Sequence, residues 1–234
     1  MLKIDFTLQI IIFAAISALF IAVLSWASIN INSQFYLKTI CRNKSNVNKI
    51  AITFDDGPDP DKTTKILDIL NDYNAKASFF IIGEKAKSRP ELVRQISDSG
   101  HLIANHSYSH SFVFPVMSAK KIQREIKETQ DIIEDISGKN CIYFRPPFGV
   151  TNPLIARAVK KLKLTTIGWS IRSFDTTGKS SEKIFYRIRK RINGGDIVLL
   201  HDTGDNTLEV LKLLLEFLNK KQIKAVRVDE LIDE

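Results

Sequence analysis

Two carboxylates stand side by side in the segment Thr53-Phe54-Asp55-Asp56-Gly57-Pro58. The run before them, Ile50-Ala51-Ile52-Thr53-Phe54, is short and apolar, the pattern of a buried strand. Adjacent carboxylates leaving such a strand repel each other, so a metal ion or an arginine must hold at least one as an anion. Gly57 and Pro58 force a tight turn immediately afterwards, which fixes where the two side chains point. Aspartate pairs also serve as caps and turn residues on surfaces. Here the buried strand before the pair and the turn after it favour a chemical site.

Asn105-His106-Ser107-Tyr108-Ser109-His110 sets two imidazoles four positions apart. Both can reach one metal ion if the segment is helical or coils back. With one carboxylate they make a two-His, one-carboxylate set that leaves positions open for water and substrate. A lone histidine is more often structural, but this chain has only four, and His101, His106 and His110 are three of them. The ligand set read from this pattern is Asp56, His106 and His110.

The fourth histidine closes Val198-Leu199-Leu200-His201-Asp202, at the end of a second apolar run. An imidazole there is placed to act as a general acid, and Asp175 could orient it and raise its pKa. A core histidine bonded to a carbonyl is the weaker reading, because the polar loop Asp202-Thr203-Gly204 follows at once. Arg145-Pro146-Pro147-Phe148-Gly149 is stiff by composition. Its prolines fix the backbone, so the N–H of Phe148 or Gly149 can be aimed at a substrate oxygen. Arg145 can pair with a carboxylate that must stay ionised.

These groups need a scaffold, and the rest of the chain supplies one. From about Asn48 onward short apolar runs alternate with amphipathic stretches. Strands are predicted at 50–54, 77–82, 102–104, 141–144, 164–169, 197–200 and 223–228. Helices are predicted at 63–73, 118–136, 152–162, 181–192 and 207–219, with another beginning at Pro90 and ending before Gly100. This alternation argues for an α/β fold built on a parallel sheet, closed into a barrel or left open. Chemistry in such folds sits at the C-terminal ends of the strands. The polar clusters fall at those ends.

The 234 residues allow one medium domain and an appendage, and the composition, 44% hydrophobic and 26% charged, is that of a globular protein. The net charge of +8 raises the question of nucleic acid. The excess, however, is spread along helix-like stretches such as Lys120, Lys121, Arg124 and Lys127, which alternate with Glu125, Glu128 and Asp131. No zinc-finger spacing and no basic run interleaved with aromatics occurs, so no nucleic-acid partner is read. The two cysteines, Cys41 and Cys141, are compatible with one disulfide or with two free thiols.

Leu8 to Ile31 form one apolar stretch long enough for a bilayer span of about 20 residues. Ser25-Trp26-Ala27 offers a signal-peptidase site before Ser28, but Asp5 offsets Lys3 in the n-region, which favours an uncleaved anchor. The expected division is residues 1–47 as anchor or signal plus linker, and residues 48–234 as the catalytic domain. Lys38, Arg42, Lys44 and Lys49 follow the span, so the positive-inside rule alone places that domain in the cytoplasm.

In order, Thr53 to Pro58, His106 to His110, Arg145 to Gly149, Trp169 with Asp175, and Leu199 to His201 resemble the motifs of the polysaccharide deacetylase family. This is the nodulation-type chitooligosaccharide deacetylase domain of carbohydrate esterase family four, and the resemblance runs from about Lys49 to Leu231. It implies a distorted, incomplete (β/α) barrel. It implies Asp55 as general base, kept anionic by Arg145, and a divalent metal on Asp56, His106 and His110. That metal is zinc, with cobalt or nickel as alternatives. It further implies a Phe148 N–H for the oxyanion, His201 as general acid tuned by Asp175, and Trp169 and Leu199 as walls of an acetyl pocket.

The implied activity is metal-assisted hydrolysis of N-acetyl groups on amino-sugar polymers or oligomers of peptidoglycan or chitooligosaccharide type, releasing acetate. That substrate places the domain outside the cytoplasmic membrane, anchored or secreted, against the charge rule. An O-acetyl polysaccharide esterase using the same residues is the alternative, and a non-catalytic glycan-binding module is a second. The latter should have lost Asp55 or a ligand, and neither is lost. Three positions depart from the family's pattern: Phe148 where tyrosine is frequent, Arg172 where aspartate is common, and Thr176 where tryptophan is frequent. The last two alter a wall of the cleft and so bear on substrate choice. The oligomeric state is not encoded in any of these motifs.

Overall fold

The computed structural model describes residues 5–233. It begins with helix α1 (Phe6–Ile29), whose side chains are almost all exposed and apolar around the whole circumference. Among the described residues it is the one helix long and apolar enough to cross a membrane. Its 24 residues make a rod of about 36 Å. The last turn is different, because it docks on the domain. Ala27 is fully buried, Ser28 Oγ donates to Thr151 O at 2.7 Å, and Thr151 N donates back to Ser28 O at 2.9 Å. The Ala27–Ser28 bond therefore lies inside a helical turn and against the fold.

The sheet is formed by β1 (Thr39–Ile40), β2 (Lys49–Gly57), β3 (Ser78–Ile81), β4 (Leu102–Asn105), β5 (Tyr143–Phe144), β6 (Thr165–Ile167), β7 (Ile171–Arg172), β8 (Ile197–His201) and β9 (Lys224–Val226). All pairings between these strands are parallel, in the order β1-β6-β5-β4-β3-β2-β8-β7, with β9 beside the first half of β2. Among the described residues no ladder joins the two end strands, β1 and β7, so the curled sheet stays an incomplete barrel. This is the fold class expected, and its last strand is shorter than predicted. Val228 N leaves the ladder to donate to Ser78 Oγ, and Val228–Ile232 turns into a helix with Asp229 and Glu230 in its first turn. The strands β1 and β7 have no counterpart among the predicted elements, since two residues carry no readable alternation. β1 lies in the stretch expected to be linker, so the sheet starts before residue 48.

The helices that cover the sheet are α2 (Thr63–Asp72), α3 (Gly83–Ser88), α4 (Pro90–Asp98), α5 (Ala119–Ser137), α6 (Pro153–Leu162), α7 (Ser181–Arg189), α8 (Thr207–Lys220) and α9 (Val228–Ile232). Most of their ends follow the sequence signals, although α7 stops at Arg189, three residues short of the predicted end at 192. The Ser118 side chain caps α5 through Lys121 N, and Gly138 ends it. Asn152 Oδ1 accepts from Leu154 N and Ile155 N at 2.9 Å each, with Pro153 in the first turn of α6.

Strand β2 shows how the sheet places chemistry. Ile50, Ile52 and Phe54 point outward into the main core with Leu70, Phe79, Leu200 and Leu214. The alternate residues point into the curl, where Ala51 packs with Phe80, Ile167 and Ile197. Thr53 and Asp55 continue that inner row toward the C-terminal rim.

Candidate active site

Adjacent strand residues should face opposite sides of a sheet, which would separate Asp55 from Asp56. The register of β2 against β3 slips between Asp55 and Gly57, and Asp56 has φ 72°. This bulge swings Asp56 onto the same rim as Asp55. The turn packs closely behind: a Cβ on Gly57 would lie 2.3 Å from Asp202 Oδ2, so only glycine fits. Asp202 is fully buried, accepts from Thr63 Oγ1 at 2.6 Å, and is pushed up to about 7 by its burial. Apart from its place after His201, no sequence signal marks this support.

The two ligand histidines do not lie on a helix; the segment coils back. Asn105 Oδ1 accepts from Ser107 N at 2.9 Å, Ser107 Oγ accepts from His110 N at 3.2 Å, and Glu125 Oε2 accepts from Ser109 N at 2.8 Å. His106 Nδ1 lies 2.7 Å from Arg145 O, an acceptor only, so Nδ1 carries the hydrogen and Nε2 presents its lone pair. Burial, with His106 nearby, lowers the His110 pKa to about 4, which keeps that ring neutral.

Asp56 Oδ1 stands 3.5 Å from His106 Nε2 and 3.4 Å from His110 Nε2. It is buried and has no hydrogen-bond partner. Two donors bound tetrahedrally at zinc distances stand about 3.3 Å apart. The spacing and the orphaned oxygen fit a divalent cation between the three side chains, whose ligand atoms all lie within 4.8 Å of one another. His101, by contrast, is a structural histidine: its Nδ1 accepts from Ala77 N at 3.2 Å beside Phe79.

Asp55 is tied on its other side. Arg145 is wholly buried and donates from Nη1 to Asp55 Oδ1 at 2.5 Å and to Thr53 Oγ1 at 2.9 Å. Its remaining donors meet Ile167 O at 3.2 Å and Gly168 O at 2.8 Å, and its guanidinium lies 4.0 Å above the Phe80 ring. Burial pulls its pKa down, and the Asp55 charge acts against that. The turn after it is closed by Gly149 N to Pro146 O and Val150 N to Pro147 O, not by Phe148 N. Phe148 itself has φ 61°. A Cβ on Gly149 would fall 2.3 Å from the Trp169 ring, so the turn lies flat on that indole.

His201 ends β8 in register with Asp55. Its Nδ1 is 2.9 Å from Asp175 Oδ1, and Asp175 Oδ2 accepts from His201 N and from Thr207 Oγ1 at 2.8 and 2.7 Å. Burial disfavours the imidazolium, yet the hydrogen bond and charge of Asp175 outweigh it and raise the His201 pKa. The carboxyl of Asp175 is lowered: burial works against its charge, and the hydrogen bonds from His201, Thr207 and Ser173 prevail. Ser173 and Thr207 carry no sequence signal of this role.

Asp55, Asp56, His106, His110, Phe148, Trp169, Leu199 and His201 thus line one cavity of about 110 Å³, with Gly149 and Arg172 completing its wall. Arg145 and Asp175 stand behind it. Cys41 and Cys141 are buried and unpaired, which leaves the two-thiol alternative.

Residues 42–167, more than half of the chain, match the polysaccharide deacetylase family. The chain belongs to that family. It is 37% identical over 188 residues to a peptidoglycan-N-acetylglucosamine deacetylase of Bacillus cereus, covering 78% of this chain and 87% of that one. A chitooligosaccharide deacetylase of Azorhizobium caulinodans is 34% identical, covering 69% of this chain and 77% of its own length. Among solved structures, the peptidoglycan N-acetylglucosamine deacetylase Bc1960 superposes with a TM-score of 0.79 at 28% identity, over 82% of this chain and 92% of that one. The relatives named as peptidoglycan and chitooligosaccharide deacetylases are hydrolases of N-acetyl amide bonds, the deacetylases of this family are metal-dependent, and the incomplete parallel barrel is the family's fold.

Proposed function

We propose that this protein removes N-acetyl groups from amino-sugar polymers of peptidoglycan or chitooligosaccharide type, releasing acetate, with Asp55 as base and His201 as acid. The observation that carries this is the division of labour across the rim. Asp55 is fixed by Arg145 through one oxygen, while its other oxygen, Oδ2, lies 3.6 Å from His106 Nε2, beside the cluster of Asp56, His106 and His110.

Zn2+ is the ion proposed for that cluster, with Co2+ or Ni2+ as substitutes; when bound it polarises an acyl oxygen and makes water more acidic. The residues do the rest. Asp55 takes a proton from the water as its oxygen attacks the acetamide carbon. The N–H of Phe148 faces the oxygen that gains charge. Trp169 and Leu199 hold the methyl group. The carbon–nitrogen bond then breaks while His201 Nε2, aimed outward because Nδ1 is held by Asp175, gives its proton to the departing nitrogen. The products are acetate and a free amine.

The helix α1 is proposed as an uncleaved membrane span that holds the catalytic domain outside the cytoplasmic membrane. Its exposed apolar surface and the bonds from its last turn to Thr151 support this. The test is acetate release by the full chain in detergent, loaded with zinc, from peptidoglycan, N-acetylglucosamine oligomers and acetylated xylan. Release from the first two supports the proposal. Release from xylan alone assigns an O-acetyl esterase, and release from none overturns the reading.

A further inference from the structure

The wall of the catalytic cavity carries one cation that the proposed chemistry does not use. Arg172 is the second residue of β7, in register with Leu199, and it lines the cavity. Its neighbour Ile171 is buried in the core on the other face, so strand alternation turns Arg172 toward the curl. Its guanidinium is solvent-exposed and lies 5.1 Å from the Phe174 ring. A second guanidinium, that of Arg187 on α7, lies 4.4 Å from the same ring, and Arg187 Nε donates to Arg172 O at 3.4 Å.

Two features separate this pair from ordinary surface arginines. Phe174 has φ 64°, a left-handed conformation that is a rare outlier for a bulky side chain and that clusters at functional sites. That backbone places the ring against both cations. Second, neither arginine has a carboxylate within ion-pair distance among the described residues, whereas Arg42, Arg145 and Arg227 each do. The nearby Asp175 is committed to His201, and Glu182 to the Ser180 turn. Two like charges gathered on one ring without a counter-ion leave a positive potential at the cavity's lip. Arginine is the side chain suited to planar, two-point recognition of a carboxylate or phosphate.

We propose that Arg172, backed by Arg187 across Phe174, selects glycans that bear an anionic group, carboxylate or phosphate, on or beside the acetylated sugar. This rests on the deacetylase reading of the cavity and adds to it the class of substrate preferred. Neutral oligomers of the same sugar are the disfavoured class.

The test uses the full chain in detergent with zinc and three matched sets of N-acetylated oligomers: neutral, carboxylate-bearing and phosphate-bearing. Two quantities are read: kcat/KM for acetate release, and affinity for uncut oligomers by calorimetry in the Asp55→Asn background. One of the anionic sets should exceed the neutral set by roughly tenfold in both, as a charged hydrogen bond allows, and which one it is identifies the group. Arg172→Gln should bring that ratio to within about twofold of unity, and Arg172→Lys should keep part of it, while Lys161→Gln, an exposed cation outside the cavity, keeps all of it. Equal values for neutral and anionic oligomers, or a ratio that survives Arg172→Gln, overturn the proposal. If no oligomer yields acetate but the affinity ratio persists and falls in Arg172→Gln, the deacetylase reading fails and the selectivity stands.

Discussion

Arg145 Nη1 meets Asp55 Oδ1 at 2.5 Å across 90 residues of sequence, and both groups are withdrawn from solvent. The guanidinium is satisfied on every side by Asp55, Thr53 and two carbonyls, so the pair is both a structural joint and the means of aiming one carboxylate. Removing one member of such a pair leaves an uncompensated buried charge. Arg145→Met should therefore destabilise the fold by about 3–5 kcal/mol, measured by denaturant unfolding, and abolish acetate release. Full activity in a folded Arg145→Met protein would show that Asp55 needs no such partner.

The adjacent carboxylates should separate under substitution. Asp56→Asn removes the charge from the oxygen that has no hydrogen-bond partner between the histidines, and should weaken zinc binding, measured by titration against a competing chelator. Asp55→Asn leaves that oxygen in place and should keep stoichiometric zinc. Its turnover should fall by about 10²–10⁴-fold, the usual worth of a general base. If both variants lose metal equally, the roles assigned to the pair are wrong.

The His201–Asp175 pair sets the alkaline limit. Asp175 raises the His201 pKa, so the imidazolium persists above its ordinary range and is lost only as pH rises through that raised value. Its contribution to stability has the same sign: present at lower pH, lost as pH rises. The depressed Asp175 carboxyl contributes in the opposite direction, present at neutral pH and lost as acid protonates it. Zinc-loaded Asp175→Asn should thus show a pH–kcat profile whose alkaline limb moves to lower pH than the parent's. Both proteins carry the same metal, so its own effect on the imidazole largely cancels in the comparison. An unmoved limb would remove Asp175 from this role.

Much of this site is legible in the amino-acid sequence, for a physical reason. Catalytic side chains must sit at strand ends, so Asp55, His106, Arg145 and His201 each follow an apolar run and are punctuated by glycine, proline or polar loops. The supports are not legible. Thr53, Ser173 and Thr207 act through single hydroxyls held by tertiary contacts, and no local pattern marks a hydroxyl that will meet a distant carboxylate or guanidinium. The bulge that brings Asp56 round to Asp55 depends on pairing with β3, which the sequence of β2 does not reveal. Edge strands of two residues, β1 and β7, leave no trace because alternation needs more length to show. Arg172 stands out in the sequence only as an unusual residue; its place in the cavity wall follows from the register with Leu199.

Gly149 provides a test of the acetyl pocket that leaves the metal cluster untouched. It has φ 69°, and a Cβ there would press to 2.3 Å from the Trp169 ring. Gly149→Ala carries about 1–2 kcal/mol of left-handed backbone cost, and the indole is packed over buried Arg145 and has little room to retreat. The strain should be relieved by moving the turn outward, carrying the Phe148 N–H away from the cavity. The variant should bind zinc with parental affinity and lose kcat by about 10²–10³-fold, the cost of one misplaced oxyanion donor. Substrate affinity should change far less, because the displaced group matters most as charge develops on the acyl oxygen. A loss confined to KM would instead assign Gly149 to binding the sugar, and parental kcat would show that the Phe148 N–H takes no part.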